Sequence, residues 1–161
     1  MLDQLIKLVQ QNAGETIVKN QDIPNERNNE AIQEVASQIF NGIKGQASQG
    51  NTQDLLGMFQ SSGSSVSNNP MVSQIISNIT GNLASKFGIS PQAAAGIANS
   101  LIPMVMNQFV NKTNDPDDKD LDLQDILKNV TGKSNVGDML SQFAGGKDGG
   151  GMGNVLGNLF K

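Results

Sequence analysis

The sequence predicts an all-α protein, a helical bundle built around a two-helix hairpin over about residues 70–112. Three features predict it. Apolar residues recur three and four apart in several long segments, the period of a helix with one buried face. Two of those segments open on an amide or hydroxyl residue followed by proline, Asn69-Pro70 and Ser90-Pro91, with Gly88 between them. Short pieces of the form Asp-apolar-apolar-x-x-apolar recur along the chain.

In order, residues Leu2–Gln11 read as a first helix with Leu2, Leu5, Ile6 and Val9 on one face, which Gly14 should end or bend. Its amphipathic pattern, with Asp3 and Lys7, lacks the charged head and apolar core of a signal peptide. Ile17, Val18 and Ile23 form an apolar cluster before Pro24. A second helix runs from about Asn28 to Lys44, carrying Ile32, Val35, Ala36, Ile39 and Ile43 on one side. Asn28 or Asn29 can cap it, Glu30 and Glu34 suit its positive end, and Gly42 and Gly45 should weaken its far end. Burying each large side chain stabilises by about 1.5–3 kcal/mol, so this helix needs a partner, for which the 71–112 hairpin is the natural choice.

Residues 51–69 read as a Ser/Gly/Asn-rich linker interrupted by one short helical piece, Thr52–Phe59; Ser61–Ser67 in particular reads as flexible. The hairpin follows. Its first helix carries Val72, Ile75, Ile76, Ile79, Leu83 and Phe87, and ends at Gly88, where a left-handed residue is wanted. Its second carries Ala94, Ile97, Ala98, Leu101 and Val105, widened by Ile102, Met106, Phe109 and Val110. A stripe that wide implies neighbours on more than one side. Pro103 lies inside and removes one helix hydrogen bond, which should kink it. From residue 113 comes an acidic linker and a tail of short helices spaced by glycine, with half of the eighteen glycines between Gly132 and Gly157. The division is thus 1–50, 51–69, 70–112 and 113–161.

The short pieces repeat one another. Asp54-Leu55-Leu56-x-x-Phe59 recurs as Asp125-Ile126-Leu127-x-x-Val130 and as Asp138-Met139-Leu140-x-x-Phe143. A looser copy is Asn154-Val155-Leu156-x-x-Leu159, and Gln4-Leu5-Ile6-x-x-Val9 is close. Helices this short do not stand alone in water, because nucleation is costly. They must dock on the chain's own core or on another molecule. Tail segments beginning at Leu123, Val136 and Met152 therefore make homo-oligomers an expectation.

The hairpin string Leu83-Ala84-x-x-x-Gly88-Ile89-Ser90-Pro91 also invites a helix-turn-helix reading, with Gln92, Asn99, Asn107 and Gln108 as polar readers. Charge argues against it. From Met71 to Lys112 only Lys86 and Lys112 are charged, and the chain carries −4 overall, so the main source of phosphate affinity is missing.

The same residues carry a resemblance. Leu83, Gly88-Ile89-Ser90-Pro91, Ala93–Ala95 and Leu101-Ile102-Pro103 together resemble the core of the YidB-like family, small bacterial helical proteins of unassigned function. The match covers about a quarter of the chain, with weaker similarity in the glycine-rich tail. The resemblance implies an all-helical bacterial protein of the cytoplasm. It brings no catalytic or ligand residues.

Chemistry is sparse. With neither His nor Cys in the sequence, the usual base, thiol nucleophile and soft metal ligands are missing, and no disulfide can form, which fits the cytoplasm. Glycine-rich 145–153 holds no Gly-Lys-Ser/Thr and follows no strand, so it is no phosphate loop. Calcium could only use the acidic run Asp115–Asp125. Counted from Asn114, an EF-type loop meets Pro116 and Lys119 where a ligand and glycine belong; counted from Asp118, Leu123 and Asn129 replace the glycine and the closing carboxylate. The expectation is no catalytic residue, no cofactor and no metal. No run of eighteen apolar residues spans a membrane. What remains is a non-enzymatic helical interaction or self-assembly protein with an unknown protein partner, no nucleic acid, and a peripheral membrane or lipid role as the alternative. The scarcity of Lys and Arg on the apolar segments weakens that alternative.

Overall fold

A computed structural model describes residues 1–61 and 64–115, together with Asp117, Ile126 and Lys128. The described residues are helical with no strand. Helices α1 (Leu2–Ala13), α2 (Asn28–Ser48), α5 (Pro70–Phe87) and α6 (Pro91–Thr113) each pack on the next, and α6 returns to α1, so the four close on themselves around one core. Two shorter helices, α3 (Thr52–Gln60) and α4 (Ser64–Ser67), complete the described part. The first packs against α2 and α6, the second against α5 and α6.

The hairpin forms as the sequence predicts. The Asn69 side chain accepts from the Met71 amide at 2.9 Å, with Pro70 as the first helical residue. Gly88 stands at φ 68°, and its amide donates to the Ala84 carbonyl at 3.1 Å. Ser90 Oγ then accepts from the Ala93 amide at 3.1 Å to open α6. Ser90→Ala should cost about 1 kcal/mol of stability, read as a fall in the urea midpoint at constant slope. Every apolar residue of the widened α6 stripe is buried, and its neighbours are α1, α3, α4 and α5. The width is thereby used within the chain. The helix runs through Pro103, whose carbonyl accepts from Asn107 Nδ2 at 3.0 Å.

Helix α1 ends at Ala13 with Gly14 as its cap, as expected, and a π-type turn follows over Gly14–Val18, with the Lys19 amide donating to the Gly14 carbonyl at 3.0 Å. The turn buries Ile17 beneath a line of Leu5, Val9 and Ala13, with Leu8 beside it. Four expectations need correction. Leu2 and Val18 are left exposed, so the cluster before Pro24 is Ile17 and Ile23 alone. Neither Asn28 nor Asn29 caps α2. A 3₁₀ turn, Asn25–Arg27, leads into it, and no side chain takes the cap. Nor do Gly42 and Gly45 end that helix, which continues to Ser48 and packs on α1 as well as on α5.

The fourth concerns the stretch 51–69. It carries two helices, not one, and they are fastened to the core: Leu55, Leu56, Met58 and Phe59 of α3 and Val66 of α4 are buried. Phe59 meets Phe109 with ring centroids 5.8 Å apart, and its carbonyl accepts from Asn114 Nδ2 at 2.6 Å. Beyond Asp117 the short-helix tail lies outside the described residues, except that Ile126 and Lys128 are helical, Ile126 buried in the same core and Lys128 exposed.

Candidate functional site

Two polar assemblies stand on the bundle surface. One joins the start of α2 to the end of α5. The Lys86 ammonium lies 2.6 Å from Glu34 and 3.8 Å from Glu30, while Arg27 pairs with Glu30 at 3.0 Å. The Arg27 guanidinium lies 4.4 Å above the Phe87 ring and donates to the Lys86 carbonyl at 3.2 Å. It thus satisfies a carbonyl in the last turn of α5, beside the Gly88 cap. The assembly locks the hairpin turn to α2 and presents no unpaired charge to a ligand.

Its electrostatics predict a pH response. Hydrogen bonding from Lys86, then from Gln38, lowers the Glu34 pKa below 4.5; the Glu30 pKa is lowered chiefly by Arg27. The hydrogen bond to Glu34 in turn raises the Lys86 pKa above 10.5. For a lowered carboxylate the stability is present above 4.5 and is lost as pH falls through the folded value; for the raised amine it is lost only above 10.5. Glu34, with its side chain 16% exposed against 44% for Glu30, should carry most of the effect. Melting temperatures of the wild type and Glu34→Gln should therefore differ at neutral pH and converge below pH 4.5. Equal melting temperatures at neutral pH would show the pair to be worth nothing.

The other assembly is a trough between α2 and α5, closed at one end by α3. Its larger part, about 440 Å³, is bounded by Gln53, Asp54 and Gly57 of α3 together with Gln46, Met71 and Gln74. It adjoins a smaller part of about 190 Å³ between Asn41, Gly45 and Gln49 of α2 and Ile75 and Asn78 of α5. An amide relay crosses it: Asn51 Nδ2 donates to Gln46 Oε1 at 2.7 Å, and Gln46 Nε2 donates to Gln74 Oε1 at 3.1 Å. Asn41, Gln49, Gln53 and Asn78 bond to none of the described residues through their side-chain amides. Sequence reasoning missed this trough. The signal was present as the uncharged polar row Gln38, Asn41, Gln49 on α2, invisible as a site until α5 lay beside it.

Asn107 and Gln108 serve the fold: Asn107 donates to Ser67 Oγ at 3.2 Å, and Gln108 exchanges two hydrogen bonds with Asn12 of α1, at 2.9 and 3.1 Å. Gln92 and Asn99 are exposed. Two of these four polar side chains of α6 are thus used within the fold. Asp115 and Asp117 are exposed, whereas the calcium registers and the glycine-rich 145–153 lie outside the described residues. Among the described residues no three acidic or other metal-binding side chains converge. Within α6 an 18-residue window reaches a mean hydropathy of 1.2, enough by length and composition for a membrane span, and half of that window is buried inside the bundle, as in a core helix. No protein family, curated protein or solved structure matches this chain.

Proposed function

We propose that this chain is a non-enzymatic helical interaction or self-assembly protein of the bacterial cytoplasm, in contact with its partners through the uncharged side of the bundle. The observation that carries it is the distribution of charge. Of 11 basic and 15 acidic residues, only Asp54 and Lys86 fall within residues 45–111. Depletion of charge marks the centre of protein–protein contacts, and a locally neutral face lets copies of a chain at −4 meet without repulsion. On α5 that face consists of small and amide residues, Ser73, Gln74, Ser77, Asn78, Asn82 and Ser85, all exposed. Membership of the YidB-like family is proposed with it. What supports it is that Gly88, Ser90 and Pro91 each do a separate job in the turn that carries the resemblance.

The tail repeats supply the assembly element. In the copy at 54–59 the three apolar positions, Leu55, Leu56 and Phe59, are all buried, and Ile126, the counterpart of Leu55, is buried too. The copies beginning at Asp138 and Asn154 offer the same apolar positions to a neighbouring chain. Light scattering on the full chain, with and without Leu140→Asp and Phe143→Asp, tests this. A dimer or larger species that the substitutions abolish is expected. A monomer in both cases at high concentration would sink self-assembly, and an unchanged oligomer would remove the tail from it. Truncation after Lys112 is the poorer test, because it strips Ile126 from the core.

The span-like apolarity of α6 favours a second reading, peripheral association with membrane. Its buried stripe would have to open first, so co-sedimentation with liposomes should occur only under conditions that also loosen the bundle.

A further inference from the structure

We infer that the trough between α2, α3 and α5 binds a short, uncharged peptide in extended conformation. The inference rests on the interaction reading and names the kind of partner one part of the uncharged surface takes.

The lining chemistry points to main chain. A side-chain amide offers two donors and an acceptor, the complement of a peptide group's acceptor and donor. The molecule already uses this pairing in the reciprocal Asn12–Gln108 contact and in the bond from Asn114 Nδ2 to the Phe59 carbonyl. Along the trough Asn41, Gln49, Gln53 and Asn78 hold that capacity unused among the described residues. The Gln46–Gln74 bridge is an exposed amide pair that a peptide group can replace bond for bond.

Charge narrows the class. Among the described residues Asp54 is the sole ionisable one on the lining, so a phosphate or carboxylate ligand would find no cation among them. A neutral segment fits, with any positive end turned toward α3. Pro70 is exposed on the lining, and Met71 and Ile75 lie beneath it at 5% and 2% exposure, so small apolar side chains are the ones it can seat. A neutral oligosaccharide would want an aromatic platform for its C–H faces, and among the described residues no Phe lines the trough.

Two glycines agree. Gly45 and Gly57 line the trough inside α2 and α3, and a Cβ built on either meets nothing within 4 Å. Neither packing nor backbone geometry requires glycine there, and alanine would favour the helix. What glycine provides is close approach to the backbone by a ligand. Gly81 and Gly96 on the outer faces of α5 and α6 are open as well, so the two glycines count only together with the amides around them.

The test is a phage-displayed library of random octapeptides panned on the full-length protein. Gly45→Phe/Gly57→Phe fills the trough for counter-selection, and Gln49→Ala/Gln53→Ala removes amides from exposed positions without touching the core. Enrichment of uncharged sequences is expected, with a synthetic copy of the leading one bound about tenfold more weakly by either variant. No enrichment over the filled variant would overturn the inference. So would enriched peptides that are predominantly charged, or that both variants bind as well as the wild type does. Saturable binding of cellohexaose in place of any peptide would overturn it too. A monomeric chain in light scattering sinks self-assembly and leaves this outcome to be decided by the peptides alone.

Discussion

Leu101→Asp, or Ile79→Asp, should abolish cooperative folding. Leu101 is fully buried in α6, and Ile79 is buried in α5 at 1% exposure. A carboxylate at either place loses its hydration and gains no partner, a penalty of several kcal/mol even after the group protonates. A domain of this size has only about 5–15 kcal/mol to lose, and the vanished apolar contacts add to the deficit. Circular dichroism should show the helical signal reduced and the sharp melt gone. Ser100→Asp, one residue away on the exposed side of α6, is the control and should change stability by no more than about 0.5 kcal/mol. A wild-type melting curve for Leu101→Asp would place that face of α6 at the surface and undo the bundle described above.

That face was legible because each signal was local. Asn69-Pro70, Gly88 and Ser90-Pro91 act within a few residues of themselves, so their chemistry reads off the chain directly. The wide stripe of α6 likewise announces several neighbours, although not which ones. Legibility fails where a distant contact outweighs a local preference. Gly42 and Gly45 argue for weakening the end of a helix, yet burial of Ile43 and Ala47 carries α2 past them to Ser48. The Ser/Asn-rich composition around Val66 suggests a spacer, but one buried valine fastens that turn to α5 and α6. The trough was harder still. Its lining comes from three helices, and nothing in any one of them marks an amide as part of a wall.

Gly42→Ala should destabilise the protein, against the ordinary expectation for a glycine inside a helix. In an exposed helix alanine is better by about 1 kcal/mol, and Gly45→Ala, in open space, should gain about that much. At Gly42 the added carbon would stand 2.6 Å from Ile75 Cγ1 and 3.0 Å from its Cδ1. Ile75 is 2% exposed and β-branched, so it has neither room nor a spare rotamer into which to swing. The relief must come from α2 and α5 moving apart, an overpacking cost of about 1–3 kcal/mol that outweighs the helical gain at its upper end and roughly cancels it at its lower. A net loss of up to about 2 kcal/mol is expected, measured as a lower urea midpoint with unchanged slope. The mechanism is checked by a double-mutant cycle. Ile75→Ala removes both crowding carbons, and in that background the alanine at 42 should become neutral or stabilising, a coupling of about 1–3 kcal/mol. Gly42→Ala as stabilising as Gly45→Ala, or a cycle with no coupling, would mean that the close approach of α2 to α5 at this point is not what keeps position 42 a glycine.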